Sequence, residues 1–198
     1  MSNVTVVGAQ WVRRNPQLVA VAAAHATLRP LAQAADDAGT PWAAIDVAET
    51  ALRNLSALVE PEGRAQALLH IGQADGLLVI THGGELLMAR HLDTGAGALV
   101  SAEEHERQAA FDRIGLELQR TLDGFDRTIH HVVLARLLVA PAPGADALCA
   151  HVRELLYVPV ETLDLQGALD LSAVPALADP AVLNHHLRAI DAALREAA

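Results

Sequence analysis

Ten histidines are the side chains best able to bind a metal ion, but their spacing argues against a metal site. Two pairs are adjacent in sequence, His130–His131 and His185–His186. Adjacent side chains point about 100° apart on a helix and to opposite faces of a strand, so neither pair is expected to chelate one ion. A meeting of His82 with His91 across a hairpin has no further support. We therefore predict surface or capping histidines and no metal centre.

Candidate nucleophiles are equally few. All 14 basic residues are arginines, so the chain has no lysine for nucleophilic attack, for a Schiff base or for a P-loop. The one cysteine, Cys149, lies in an apolar helical stretch, where a buried and unreactive thiol is expected. No Gly-x-Ser-x-Gly motif is present to position a catalytic serine. The residues give no catalytic centre, and we expect the protein not to be an enzyme.

Composition narrows the remaining function classes. The chain has 198 residues with a net charge of −10, which disfavours binding to nucleic acid or to an anionic membrane. Aromatic residues make up only 3%, so the core must be built from aliphatic side chains. A single cysteine rules out an internal disulfide framework. Neither a long apolar segment nor the pattern of a signal peptide is found, so we expect a soluble cytoplasmic protein.

Strand-like and helix-like segments alternate along the chain, which predicts an α/β sandwich. The first part is expected to have the order β-β-α-β-α. Its predicted elements are strands at 4–7, 18–23 and 42–47, a helix at 27–38 that ends at Gly39, and a helix that opens at the capping box Asp46–Glu49 and runs to about Val59. The break at Pro61–Gln66 divides the chain into predicted domains 1–64 and 65–198.

The second part is expected to have the order β-β-β-α-β-α-β-α. Two glycines after His82 predict a tight hairpin. Ser101 and Glu104 form a second capping box, and Asp179 before Pro180 predicts another helix start. One apolar stripe at steps of three and four residues indicates the buried face of a long helix: Phe111, Ile114, Leu118, Leu122 and Phe125. Polar residues on that helix, Glu117, Arg120, Asp123 and Arg127, predict a solvated face with ion pairs or a partner-binding face.

The order of this second part resembles the ribonuclease H-like unit, two copies of which make the actin-like ATPase fold. Five stretches are similar to the MshI/PilM group, the cytoplasmic actin-like proteins of type IV pilus assembly platforms. They are AAIDVAETALRNL at 43–55, GLLVITHGGELLMAR at 76–90, LELQRTLD at 116–123, VPVETLDL at 158–165 and AIDAALR at 189–195. The resemblance implies a truncated first subdomain followed by one complete β-β-β-α-β-α-β-α unit, either in a fragment or in a shortened relative.

The resemblance also implies a nucleotide site, but the residues of this chain depart from the family's pattern there. The second phosphate loop of active relatives matches HIGQADG at 70–76, which leaves Gly72, Asp75 and Gly76 as candidate cofactor-binding residues. His70 stands where the metal-coordinating aspartate is expected, and two prolines interrupt the matching adenosine loop at 141–145. We expect a degenerate phosphate loop that needs no ATP and does not hydrolyse it.

The function implied is a scaffold of an MSHA-type pilus assembly platform, peripheral to the inner membrane. Its expected partner is the cytoplasmic tail of an inner-membrane protein. Trp11 and Trp42 lie in the short first part, where uncovered apolar surface would suit such a partner or a homodimer. The alternatives are a nucleotide-binding switch or weak ATPase of the same fold, and an unrelated α/β domain of a metabolic enzyme.

Overall fold

The computed structural model describes residues 4–10, 19–42 and 44–195. These fall into two compact units, residues 1–47 and residues 48–198, and each is described by itself. Predicted features at Trp11 and Ala43 lie outside the described residues.

The first unit contains a strand pair and one helix. Strands β1 (Val4–Gln10) and β2 (Val19–Ala24) are antiparallel, with a register shift between Val6 and Gly8. Helix α1 (His25–Asp37) follows and ends before Gly39, whose φ of +72° favours glycine, as predicted. No side chain of α1 is buried.

The strand predicted at 42–47 is wrong for its described residues, 42 and 44–47, none of which lies in a strand. Trp42 belongs to this segment, and about half of its surface is exposed. An apolar run indicates a strand only when another strand edge is available to pair with it. The periodicity of apolar residues by itself therefore could not show whether this segment forms a strand.

The second unit is built on a mixed five-stranded sheet. Its strand order is β5-β4-β3-β6-β7, with antiparallel pairing on the β5 side and parallel pairing on the β7 side. The strands follow one another along the chain in the predicted order. Their bounds are β3 (Ala65–Ile71), β4 (Gly76–His82), β5 (Glu85–Leu92), β6 (Leu134–Val139) and β7 (Val160–Thr162).

Helices cover both faces of this sheet. The four long predicted helices are present, whereas two four-residue helices and a 3₁₀ turn at Pro175–Ala178 were not foreseen because such short pieces carry no periodicity. The helices are α2 (Ala48–Leu58), α3 (Ala96–Leu99), α4 (Glu104–Thr128), α5 (Ala145–Arg153), α6 (Leu165–Ala168) and α7 (Pro180–Ala193).

Each face of the sheet has its own apolar core. On one face the predicted stripe of α4 is buried together with Leu148 and Val152 of α5. On the other face Leu52 and Leu55 of α2 pack with Leu187 of α7. Alternate residues of β3 supply the two cores, because successive side chains on a strand point to opposite faces.

A buried polar network fixes α2 on the second unit. The Ser56 and Thr81 hydroxyls are 2.8 Å apart, and the Gln66 amide donates to the Ser56 carbonyl at 3.2 Å. Arg136 donates to Gln66 Oε1 at 2.9 Å and to the Val59 carbonyl at 2.9 Å. Helix α2 therefore belongs to the compact unit that begins at residue 48.

Two of the predicted local motifs form and one does not. Gly83 and Gly84 turn the β4–β5 hairpin with φ values of +61° and +75°, and the Asp179 carboxylate accepts from Ala181 N–H at 2.7 Å to cap α7. The Ser101–Glu104 capping box is wrong: the N-cap of α4 is Glu103, and the Ser101 hydroxyl accepts from the Glu103 N–H at 3.3 Å and donates to Glu106 at 2.7 Å.

We expect Leu118→Ala to lower the free energy of unfolding by about 2 to 5 kcal/mol, because Leu118 is fully buried under the sheet. Leu116→Ala is the matched control, since Leu116 lies on the same helix and is 45% exposed. Urea unfolding followed by circular dichroism measures both variants. Equal losses in the two variants would contradict the placement of the α4 stripe.

Candidate functional site

The predicted phosphate loop is the tight turn between β3 and β4. The Gly72 N–H donates to the Asp75 carbonyl at 2.8 Å, which closes the turn on itself. The Gly72 carbonyl accepts from Ala96 N–H at 2.7 Å at the start of α3. Gly72, Asp75 and Gly76 are thus brought together, but the backbone groups of Gly72 are engaged within the protein.

The glycines here serve internal packing. A Cβ at Gly76 would lie 2.9 Å from Ile71 Cδ1 and 3.3 Å from Leu92 Cβ. A Cβ at Gly95 would overlap with the Gln73 backbone, so only glycine allows the segment before α3 to pack on the turn. Sequence reasoning missed Gly95, although it lies in the glycine-containing loop at 93–97.

Side chains of α7 reach across to this turn. Arg188 forms an ion pair with Asp75, with a distance of 2.9 Å from Nη2 to Oδ1. One helical turn earlier, His185 Nδ1 lies 3.4 Å from Gln73 Nε2. The one carboxylate of the turn is therefore paired with a guanidinium group at a half-exposed position.

Asn184 of α7 closes the strand ends beside the turn. Its buried amide donates to the Ile71 carbonyl at 2.7 Å and to the Pro141 carbonyl at 3.3 Å. Ile71 is the last residue of β3 and Pro141 follows its parallel neighbour β6, so both carbonyls lie at the carboxyl ends where ligands bind in open α/β sheets. The predicted adenosine loop, residues 141–145, is thus tied to α7, and Gly144 within it packs against Leu99.

His70 is a buried and neutral side chain. It lies on β3 with only 3% of its surface exposed, on the same face as Leu68 and hence toward α2 and α7. Burial, aided by the positive charge of Arg188, lowers the pKa of His70 to about 4. Its Nε2 has no hydrogen-bond partner among the described residues. A neutral imidazole gives none of the hard oxygen ligands that Mg²⁺ prefers.

Asp191 is the buried carboxyl group that sequence reasoning missed. Only 1% of its surface is exposed, and neither carboxylate oxygen has a hydrogen-bond partner within the described chain. Burial raises the pKa of Asp191 to about 7, although the nearby Arg188 acts in the opposite direction. Its position four residues after Leu187, on the apolar stripe of α7, is the signal that could have found it.

The remaining candidates form no centre of their own. Cys149 is buried, as predicted, and burial raises the pKa of its thiol. Within the ranges that the structure describes, no three metal-ligating side chains come together, and no helix is long and apolar enough to cross a membrane. The predicted ion pairs of α4 are present in part, with Arg120 at 3.3 Å from Glu117.

No protein-family model matches the chain, and no curated protein matches it. Among solved structures, a chain of the "PilM-PilN type IV pilus biogenesis complex" is similar over 89% of this chain and 62% of its own length, with 19% identity and a TM-score of 0.60. This chain thus spans less than two thirds of that relative.

Two further solved structures are similar at lower scores. One is a Bacteroides thetaiotaomicron protein with an actin-like ATPase fold, at 9% identity over 90% of this chain and 59% of its own, with a TM-score of 0.48. The other is an Aquifex aeolicus member of the Ppx/GppA family, at 19% identity over 50% of this chain and 35% of its own, with a TM-score of 0.35. The chain has the α/β actin-like ATPase fold, with a mixed five-stranded sheet.

We expect Asp191→Asn to reduce the loss of stability on going from pH 5 to pH 8. The folded-state pKa of about 7 lies above the unfolded value of about 3.9, so stability is greatest below pH 4 and falls as the pH rises through 7. Removing this group should recover roughly 2 kcal/mol at pH 8 relative to pH 5.

Chemical denaturation at several pH values, compared between Asp191→Asn and the parent protein, isolates this group from His70. Asp123→Asn, at an exposed position on α4, controls for the Asp-to-Asn substitution itself. If the Asp191→Asn variant keeps the parent's full pH dependence, the assignment of a raised pKa to the buried Asp191 carboxyl group is wrong.

Proposed function

We propose that the protein is a non-catalytic scaffold of a type IV pilus assembly platform at the inner membrane, acting through protein–protein contacts on the cytoplasmic side. The fold similarity to a chain of the PilM-PilN complex supports this assignment. The five sequence stretches similar to the MshI/PilM group support an MSHA-type pilus as the system served.

The ion pair between Arg188 and Asp75 carries the proposal that no catalysis occurs. Magnesium bound to a nucleotide needs carboxylate oxygens, and phosphates need free backbone N–H groups. Here the carboxylate is paired with Arg188, the Gly72 N–H is donated inside the turn, and His70 is neutral. These contacts support the proposal that the turn does not bind magnesium nucleotide.

A nucleotide-binding switch or weak ATPase is the second candidate. Arg188 is about half-exposed, and its interaction with Asp75 uses only Nη2. Its other guanidinium donors could therefore meet a phosphate group. The two candidates differ in whether Asp75 ever leaves Arg188 to bind a metal ion.

We expect Mg·ATP to leave the melting temperature unchanged, because its metal ligands are not available. A ligand present at 100 times its Kd would add about 2.7 kcal/mol, a shift of several degrees for a chain of this size. Differential scanning fluorimetry with and without magnesium makes the measurement. A magnesium-dependent rise that Asp75→Asn abolishes would favour the switch.

The partner we propose is the short cytoplasmic tail of a PilN-like inner-membrane protein encoded beside this chain. We expect a synthetic peptide of that tail to bind saturably in isothermal titration calorimetry, whereas a scrambled peptide of the same composition should not bind. Sedimentation velocity on the same sample tests the expected homodimer. Absence of binding by the native peptide would overturn the scaffold assignment.

A further inference from the structure

Helix α7 is held on the second unit by few buried side chains. Four of its 14 residues are buried, and two of these four, Asn184 and Asp191, are polar. Helix α5 has 9 residues and also buries four side chains, none of which carries a charge or an amide group. Burial of apolar surface is the main source of packing free energy, so α7 gains less of this free energy for its length than α5 does.

One of the buried polar side chains of α7 has no hydrogen-bond partner. Both carboxylate oxygens of Asp191 are buried without a donor among the described residues, on the helix face that packs against α2. A buried polar group that lacks a partner costs free energy, because it has lost its hydrogen bonds to water and gained none in return. Lifting α7 returns this carboxyl group to water and recovers that cost.

The segment that leads into α7 is loosely attached to the rest of the unit. Leu165 of α6 is the last buried residue before α7, and none of residues 166–179, all of which the structure describes, has a buried side chain. Segments with few buried contacts open at a lower free energy than the core does. This segment therefore allows α7 to move while the sheet stays in place.

In the closed position α7 covers the carboxyl ends of β3 and β6. The Asn184 amide donates to the carbonyls of Ile71 and Pro141, at 2.7 and 3.3 Å. Arg188 is paired with Asp75, but both side chains of this pair are 48% exposed, so the ion pair adds little to the attachment of the helix. Opening of α7 would uncover two carbonyls and free one carboxylate at the place where ligands bind in open α/β sheets.

We propose that α7 is a lid that opens as one unit about residues 166–179, while the sheet and the helices α2, α4 and α5 stay folded. The closed lid keeps Asp75 paired and the strand-end carbonyls covered. The open lid presents these oxygen atoms to the solvent as hydrogen-bond acceptors. This inference does not depend on the pilus assignment, because it uses only contacts within the second unit.

Hydrogen exchange of the intact chain at pH 7 tests the lid, with mass spectrometry of peptides from α7 and α4. We expect the protection factors of α7 to be at least tenfold lower than those of α4. Urea should speed the exchange of α7 with a slope between zero and that of global unfolding, because opening of the lid exposes part of the buried surface. A slope of zero means fraying only, and the slope of global unfolding means no separate opening. Either slope overturns the proposal.

A variant in the other core separates opening of the lid from global unfolding. Ile114 is fully buried under α4, in the core on the opposite face of the sheet from α7. Ile114→Val should speed the exchange of α4 about threefold to tenfold and leave that of α7 unchanged, because the lid opens without breaking this core. If α7 and α4 speed up by the same factor, α7 opens only when the whole unit unfolds, and the proposal is overturned.

A matched pair of variants on α7 tests what loosens the lid. Asp191→Ala should slow the exchange of α7 about tenfold, because it removes the unpaired carboxyl group from the closed state. His186→Ala is the control, since His186 is exposed on the same helix and its replacement by alanine brings a similar gain in helix propensity. The control should slow the exchange by a few-fold at most. Equal slowing in both variants removes the physical basis of the lid and overturns the proposal.

Discussion

The packing of α7 across the carboxyl ends of β3 and β6 is the interaction on which this molecule's functional surface depends. One buried amide, that of Asn184, bonds to the carbonyls that follow both strands. Buried carbonyl groups need donors, and in many α/β proteins a ligand lies at this place. Here a helix of the protein supplies the donors, so the strand ends contribute to stability.

This arrangement buries polar groups that have no partners. His70 beside α7 and Asp191 within α7 are both almost fully buried, with unpaired ring and carboxylate atoms in the described structure. Their pKa values move in the directions that keep both groups neutral. The positive charge of Arg188 acts on both buried groups, and the same side chain forms the ion pair with Asp75 in the exposed turn. Burying these unpaired polar groups lowers the free energy of unfolding. The apolar core that α7 shares with α2 offsets this loss.

The sequence predicted the second unit better than the first. Patterns with a single local cause were reliable: the α4 stripe, the two-glycine hairpin and the Asp179 cap all formed. The Ser101 capping box failed because the N-cap of α4 is Glu103, so the Ser101 hydroxyl precedes the helix and accepts from the Glu103 N–H. The buried network of Ser56, Gln66 and Arg136 that holds α2 on the second unit is a contact that no pattern in the sequence reveals.

The sequence alone determined the strands and the long helices of the second unit and the absence of lysine, since periodicity and residue type are local properties. It also identified the turn at Gly72–Gly76 and the unusual His70. Only the tertiary structure decided which distant side chains those residues contact. Asp75 and Arg188 are separated by 113 residues, as are Ile71 and Asn184. Contacts over such separations depend on how the helices pack on the sheet. This packing is the sum of many weak apolar contacts, so it cannot be predicted from any single residue.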